Sequence, residues 1–362
     1  MSVTRLFAVA LCLLVAACSQ PQTNTAPAAP AAGRTLIRFA TDWRAQAEHG
    51  GFYAALASGE YARRGLDVRI VQGGPGVNVP QMIAAGSVEM GMGSNSFIAM
   101  NLANENVPVR AVAAFMQKDP QVLIAHPDQG IRSIADMRGH PILLSDASLT
   151  AFWVWLRSRY HFSDSQVRRY TFSSAPFLAD PRVVQQGYLT SEPYTIEREA
   201  HFRPAVFLLA DEGYPGYATM VLAPDRLIAS NPAAIRAFNE ATAVGWHTYL
   251  YGDPAPADRL ILRDNPEMTQ DLLNQAREKL RQYGIVDSGD SLTQGLGAMT
   301  EARWAEFFRV ASSQGVYPRT LDYHRAYTLD FLPGPNATPP RPATAATPAT
   351  APAAAPAAAP AH

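Results

Sequence analysis

Short apolar runs alternate with helical patterns along the first two thirds of the chain, the signature of an α/β domain built on mostly parallel strands. The runs "TLIRFA" (35–40), "LDVRIV" (66–71), "EMGMG" (89–93) and "VRAVAAF" (109–115) predict four strands. Between them the spacing predicts a helix over 51–64, one containing "VPQMIAAG", and one opening near Asn95. A second unit repeats the alternation: "HPILLS" (140–145), a helix over 149–160, "RRYTF" (168–172), a helix around 181–186, and "GYLTS" leading into "EPYTIEREA". The strands "AVFLLA" and "YATMVLAP" follow, after which the pattern is helical to about residue 314. This order predicts a lobe at 34–120, a second lobe inserted at 121–215, and a return to the first at 216–332, with a ligand cleft between the two. Ligands in such sheets sit at the turns that follow the strands.

The two ends of the chain have a different composition. "MSVTRLFAVALCLLVAAC" carries a basic Arg5 before twelve apolar residues at 6–17, too short to span a bilayer and right for an export signal. "LVAAC" at 14–18 resembles the bacterial lipobox, so 1–18 is expected to be a lipoprotein signal with Cys18 the lipidated residue. Each buried lipid methylene contributes about 0.8 kcal/mol, so two or three chains anchor a protein stably. The Pro/Ala-rich 19–33 then reads as a disordered tether, and 333–362 as a disordered Pro/Ala-rich tail.

Charge and composition remove several classes of function. The formal net charge is -1 over 362 residues, with basic side chains scattered, which does not suit nucleic acid. Lysine occurs only at Lys118 and Lys279 and cysteine only at Cys12 and Cys18, so the body has no thiolate chemistry and few Schiff-base candidates. No spaced set of ligands implies a metal, and no cofactor is expected.

The order Asp42-Trp43, His49, "FYAALASGEYARRGLDV" (52–68), "GGPG" (73–76) and "AAGSVEMGMGSNSF" (84–97) resembles the substrate-binding proteins of ABC importers. The likeness continues through 107–142 and "GYLTSEPY" (187–194) and covers about 36–309. It is to the sulfonate and thiamine-pyrimidine branch of that family, and implies a two-lobed type II periplasmic-binding fold, a small-molecule ligand, an inner-membrane permease as partner and a periplasmic, monomeric, lipid-anchored receptor. The opening stretch looks most like proteins that bind pyrimidine precursors of thiamine. A sulfonate- or nitrate-type oxyanion receptor of the same fold is the alternative. The eukaryotic pyrimidine synthases share the fold and act as enzymes, but where they carry a cofactor-bearing lysine an ungapped match places Ser58, and their cysteine cluster is missing.

Within the turns, each candidate has two readings. Trp43 is either a stacking platform for a flat heterocycle or an aromatic wedged beside its turn. His49 is either a ligand contact or a packing residue. Phe52 and Tyr53 are helix neighbours that cannot share a face, and Tyr53, with a hydroxyl to satisfy, is the better cleft candidate. Asn78 is carried by the tight "GGPGVN" loop, either near the cleft or in a pure turn, whereas Ser94, Asn95 and Ser145 stand at helix starts, where each either caps the helix or meets a ligand. Glu192 is the acid expected to face the cleft, to pair with a ring N–H and to repel a sulfonate. Tyr217 is expected near the return crossing between lobes, able to cover the ligand.

Overall fold

A computed structural model of the chain describes residues 33–342. Ten strands form two five-stranded sheets. The first sheet holds β1 (Thr35–Ala40), β2 (Leu66–Val71), β3 (Met90–Asn95), β4 (Val109–Met116) and β10 (Ala218–Pro224) in the order β2-β1-β3-β10-β4. The second holds β5 (Gln121–Ala125), β6 (Ile142–Leu144), β7 (Val167–Arg169), β8 (Val184–Tyr188) and β9 (Ala205–Leu208) in the order β7-β6-β8-β5-β9. The lobe on the second sheet is inserted between β4 and β10 of the first. Both sheets are mixed rather than mostly parallel. β1 lies parallel to β2 and β3, and β6 parallel to β7 and β8, whereas β10 and β5 run antiparallel to their neighbours.

Helices cover the sheets. In chain order they are α1 (Gly50–Ala57), α2 (Glu60–Arg63), α3 (Val79–Ala84), α4 (Ser96–Asn104), α5 (Asp146–Leu149), α6 (Phe152–Tyr160) and α7 (Ala175–Ala179). Then come α8 (Glu192–Ala200), α9 (Asp225–Ser230), α10 (Pro232–Tyr251), α11 (Ala255–Asp264), α12 (Gln270–Gln282), α13 (Ser291–Gln294) and α14 (Glu301–Ser313). The helix expected over 51–64 is two helices, broken where Gly59 takes φ +77° and ends the first. The helix expected around 181–186 is absent: that stretch enters β8, because Val184 and Gln185 complete the ladders between β6 and β5. None of the described helices is long and apolar enough to cross a membrane.

The first lobe is built around Phe39, Phe52 and Phe238, whose rings approach to 4.6 and 4.9 Å. Burying each such ring contributes about 1.5–3 kcal/mol. α1 and α10 cross in close contact because both are glycine at the crossing. A Cβ on Gly245 would lie 2.1 Å from the carbonyl oxygen of Gly51. β4 is an edge strand, yet all its residues except Arg110 are buried. Its free backbone is taken by later segments: the Ala114 N–H donates to the Gly297 carbonyl at 3.1 Å, and the Thr328 N–H to the Ala111 carbonyl at 3.0 Å. Residues 333–342, expected to lie outside the fold, are laid against it, with Arg341 3.3 Å from Asp287. Cys18 and the rest of 1–32, like 343–362, lie outside the described residues.

Two segments cross between the lobes, around 117–120 outward and 209–217 on the return. Lys118 pairs with Asp211 at 2.7 Å, tying one crossing to the other. Arg303 on α14 donates to the carbonyls of Gln117, Pro215 and Gly216, and its guanidinium lies 4.0 Å above the Tyr217 ring. β1, β2 and β3 all point their C-terminal ends at the second lobe, and β6, β7 and β8 point theirs back. Thr35, at the start of β1, is therefore at the opposite end of the sheet.

Candidate functional site

The facing strand ends define the site. β1 runs out into Thr41, Asp42 and Trp43, a turn held by the Thr41 hydroxyl donating to the Trp43 carbonyl at 2.8 Å. Gly73, first of the "GGPG" loop, donates its N–H to the same carbonyl at 3.2 Å. A Cβ there would stand 2.3 Å from the Thr41 carbonyl oxygen, so only glycine lets the loop back the turn this closely. Half-buried, Trp43 meets Phe172 from the end of β7, with ring centroids 4.9 Å apart and planes at 45°. Phe172 is 52% exposed and its backbone is left-handed at φ +61°. A bulky residue holds that conformation at a cost of about 1–3 kcal/mol, a strain found mainly at functional positions. Tyr170 stands 5.3 Å behind it. Two lobes thus present aromatic faces to one another over the cleft.

Beneath the rings lie three carboxyls. Asp42 accepts from the Ser94 hydroxyl at 2.5 Å and stands 3.4 Å from Nε2 of His49. Glu48, in a 3-10 turn (Ala47–His49), is buried and takes the hydroxyl of Thr190, a direct bond between lobes. Burial pushes its carboxyl above the ordinary range, against the lowering effect of the Thr190 bond. Glu192 opens α8 and accepts from the Tyr188 N–H at 2.8 Å and the Tyr170 hydroxyl at 3.2 Å. It too is pushed up, first by burial and further by the charge of Glu48. The Tyr188 hydroxyl is raised by burial and by Asp119, Asp42, Glu48 and Glu192, which places it among four acids. Among the described residues, no lysine or arginine pairs with Asp42, Glu48 or Glu192. The nearby Arg44 and Arg169 are in exposed pairs with Glu267 and Asp146. A site of this kind favours ligands that bring N–H or O–H donors, and it opposes anions.

A cavity of about 300 Å3 opens in the first lobe, with Asp42, Ser94, Asn78 and Met92 in its lining and one face of α4 as a wall. Among the described residues no group of three His, Cys, Asp or Glu side chains could hold a metal ion.

The expected site residues separate into two groups. Trp43, Ser94, Ser145 and Glu192 all stand at strand ends facing the other lobe, and Asn78 lines the cavity while its side-chain oxygen caps α3 from the Gln81 N–H at 3.0 Å. The Ser145 hydroxyl is bonded to that of Ser148 at 2.9 Å. The others are placed differently. Tyr53 is fully buried between α1 and α11, its hydroxyl given to Asp264 at 3.0 Å, so it serves packing and not the cleft. Asn95 is buried as the cap of α4, its oxygen held by the Phe97 N–H at 3.1 Å. His49 is fully buried and lies behind Asp42 rather than at the cleft surface. Tyr217 is pinned under Arg303 with its hydroxyl on Asp290 at 2.6 Å, so it belongs to the crossing and does not cover the cleft. Sequence reasoning missed Glu48, Tyr170, Phe172, Tyr188 and Thr190. For Phe172 and Tyr188 a signal existed, since Phe172 ends the expected strand "RRYTF" and Tyr188 lies in the expected strand "GYLTS". Glu48 had none.

Comparison with known proteins agrees with this architecture. The Riboflavin-binding protein RibY of Chloroflexus aurantiacus is 25% identical over 344 residues, covering 90% of this chain and 96% of the relative. The Formylaminopyrimidine-binding protein of Halalkalibacterium halodurans is 22% identical over 280 residues, covering 74% and 80%. The alkanesulfonate-binding protein SsuA of Xanthomonas axonopodis pv. citri, solved bound to MOPS, superposes with a TM-score of 0.60 at 10% identity, covering 83% of this chain and all of the other. The two-lobed periplasmic-binding fold is therefore the fold of this chain, and the three relatives are named as binding proteins. The profile of the NMT1/THI5-like family matches residues 46–257, more than half of the chain, and the chain belongs to that family.

Proposed function

We propose that the chain is the extracytoplasmic receptor of an ABC importer and that it closes its lobes on a flat nitrogen heterocycle of the thiamine-pyrimidine or isoalloxazine type. The observation that carries this reading is the Trp43–Phe172 aromatic pair standing over Asp42, Glu48 and Glu192. A planar ring gains about 1–3 kcal/mol from each aromatic face on which it stacks, and it enters between these two once the lobes part and their 4.9 Å contact opens. Below it, carboxyls and a tyrosine hydroxyl accept the ring's N–H groups. The names of the two sequence relatives, one binding riboflavin and one a formylaminopyrimidine, support a heterocycle. The sulfonate alternative needs positive charge or a surplus of donors where this cleft has carboxyls. The mechanism is binding and hinge closure, followed by delivery to a permease, with no bond chemistry. Attachment to the membrane through lipid on Cys18 and a monomeric state complete the proposal.

The test is titration calorimetry of residues 33–342 with riboflavin, 4-amino-5-hydroxymethyl-2-methylpyrimidine, taurine and nitrate. Saturable binding of a heterocycle with no heat from taurine supports the reading. Tight taurine binding with no heterocycle response overturns it.

A further inference from the structure

The cavity of the first lobe shares Asp42 and Ser94 with the cleft but is otherwise lined by residues away from the aromatic pair. Along α4 its lining includes Ile98 and Leu102, and Glu105 just beyond the helix. Ile98 to Glu105 is about 10 Å of helix at about 1.5 Å per residue, enough for a chain of five to seven atoms. The opposite wall is the first turn of α3, at Val79 and Pro80.

The chemistry changes along its length. The middle is apolar, whereas Asn78, Asn101 and Glu105 supply polar groups. Asn78 has its carbonyl oxygen engaged by the Gln81 N–H, and Asn101 has its own engaged by the Tyr317 hydroxyl at 2.6 Å. Each amide therefore has its NH2 group to offer, while Glu105, exposed, is an acceptor. Hydroxyls both donate and accept, so a hydroxylated chain is satisfied by this set. A phosphate ester at the end of the arm would bring a dianion against the carboxylate of Glu105.

We propose that the cavity between α3 and α4 holds an uncharged, hydroxylated side arm carried by the heterocycle, and that Glu105 discriminates against the phosphorylated form. The inference rests on the heterocycle reading above. It makes the ligand a ring with a polyol arm and not a bare pyrimidine.

The experiment titrates three probes that share one ring: riboflavin, lumiflavin, which has a methyl in place of the arm, and flavin mononucleotide, which adds a phosphate to it. Riboflavin is expected to bind at least tenfold more tightly than either. In Ile98→Trp, which fills the cavity, the advantage of riboflavin over lumiflavin should fall to within twofold. In Glu105→Lys, at an exposed position that folding tolerates, flavin mononucleotide should gain at least fivefold relative to riboflavin. Equal affinities of riboflavin and lumiflavin in the unaltered chain would overturn the arm subsite and leave the heterocycle reading standing. Binding of the bare pyrimidine alone would do the same. If Ile98→Trp fails to fold, the Glu105→Lys ratio decides, and an unchanged ratio counts against the proposal. Silence from every ring compound would remove both.

Discussion

Trp43 of the first lobe and Phe172 of the second meet ring to ring at 4.9 Å, a pair that exists only because the lobes face each other. Neither ring is part of a core, since Trp43 is half-buried and Phe172 mostly exposed. Trp43→Ala and Phe172→Ala are each expected to weaken heterocycle binding at least tenfold by calorimetry, in line with about 1–3 kcal/mol per stacked face. The melting temperature of the unliganded protein should hardly move. A large drop in melting temperature for Trp43→Ala would make it a packing residue.

Asp119, in the outgoing crossing, is fully buried, and burial pushes its carboxyl up to about 7 against the lowering effect of the Gln121 N–H. A folded state that prefers the protonated acid has its full stability below the unfolded value near 4 and loses it as pH rises through about 7. The loss is on the order of 2–4 kcal/mol. Asn at this position keeps the acceptor for Gln121 and never ionises. Asp119→Asn should therefore melt several degrees above the parent at pH 8, with the difference vanishing near pH 4.

Arg303 ties both crossings to α14 through three carbonyls. A lysine keeps the charge but lacks the planar fork that spans them. Arg303→Lys and Arg303→Met should both lower the urea midpoint, and Lys should recover less than half of the loss. Full recovery by Lys would mean that charge alone matters there.

Gly245→Ala drives a methyl into backbone on both sides, 2.1 Å from the Gly51 oxygen and 2.7 Å from the Ala55 nitrogen. Helices α1 and α10 must part to accept it. The expected cost is about 3 kcal/mol or more, read as a fall in melting temperature of about 5 °C or more. Gly74, with open space around it, serves as the control and should tolerate Ala.

The strand "VRAVAAF" was legible because burial on both faces demands near-continuous hydrophobicity, and "TLIRFA" because buried Ile37 and Phe39 alternate with the half-buried Leu36 and Arg38. The misread helix at 181–186 shows where that logic fails: Pro181 resembles a helix start, but Val184 is β-branched and strands distant in sequence claim it and Gln185. β5 was overlooked for the same reason, being five residues whose partners all come later in the chain. At the site, Trp43 and Glu192 could be expected from turns that follow strands. Glu48 could not, because its meaning comes from Thr190, 142 residues away. Tyr53 and Tyr217 were misplaced since a hydroxyl's need for a partner does not say which partner, and Asp264 and Asp290 supplied it inside the fold.

Thr35 begins β1 at the end of the sheet away from the cleft, and its N–H is fastened to the Gly65 carbonyl at 2.9 Å. A leash tied ahead of that point would pull on the closed end of the molecule. Such a leash would leave the strand ends that bear Trp43 and Ser94 clear of the attachment, so capture, closure and docking could proceed without slack being taken from the mooring.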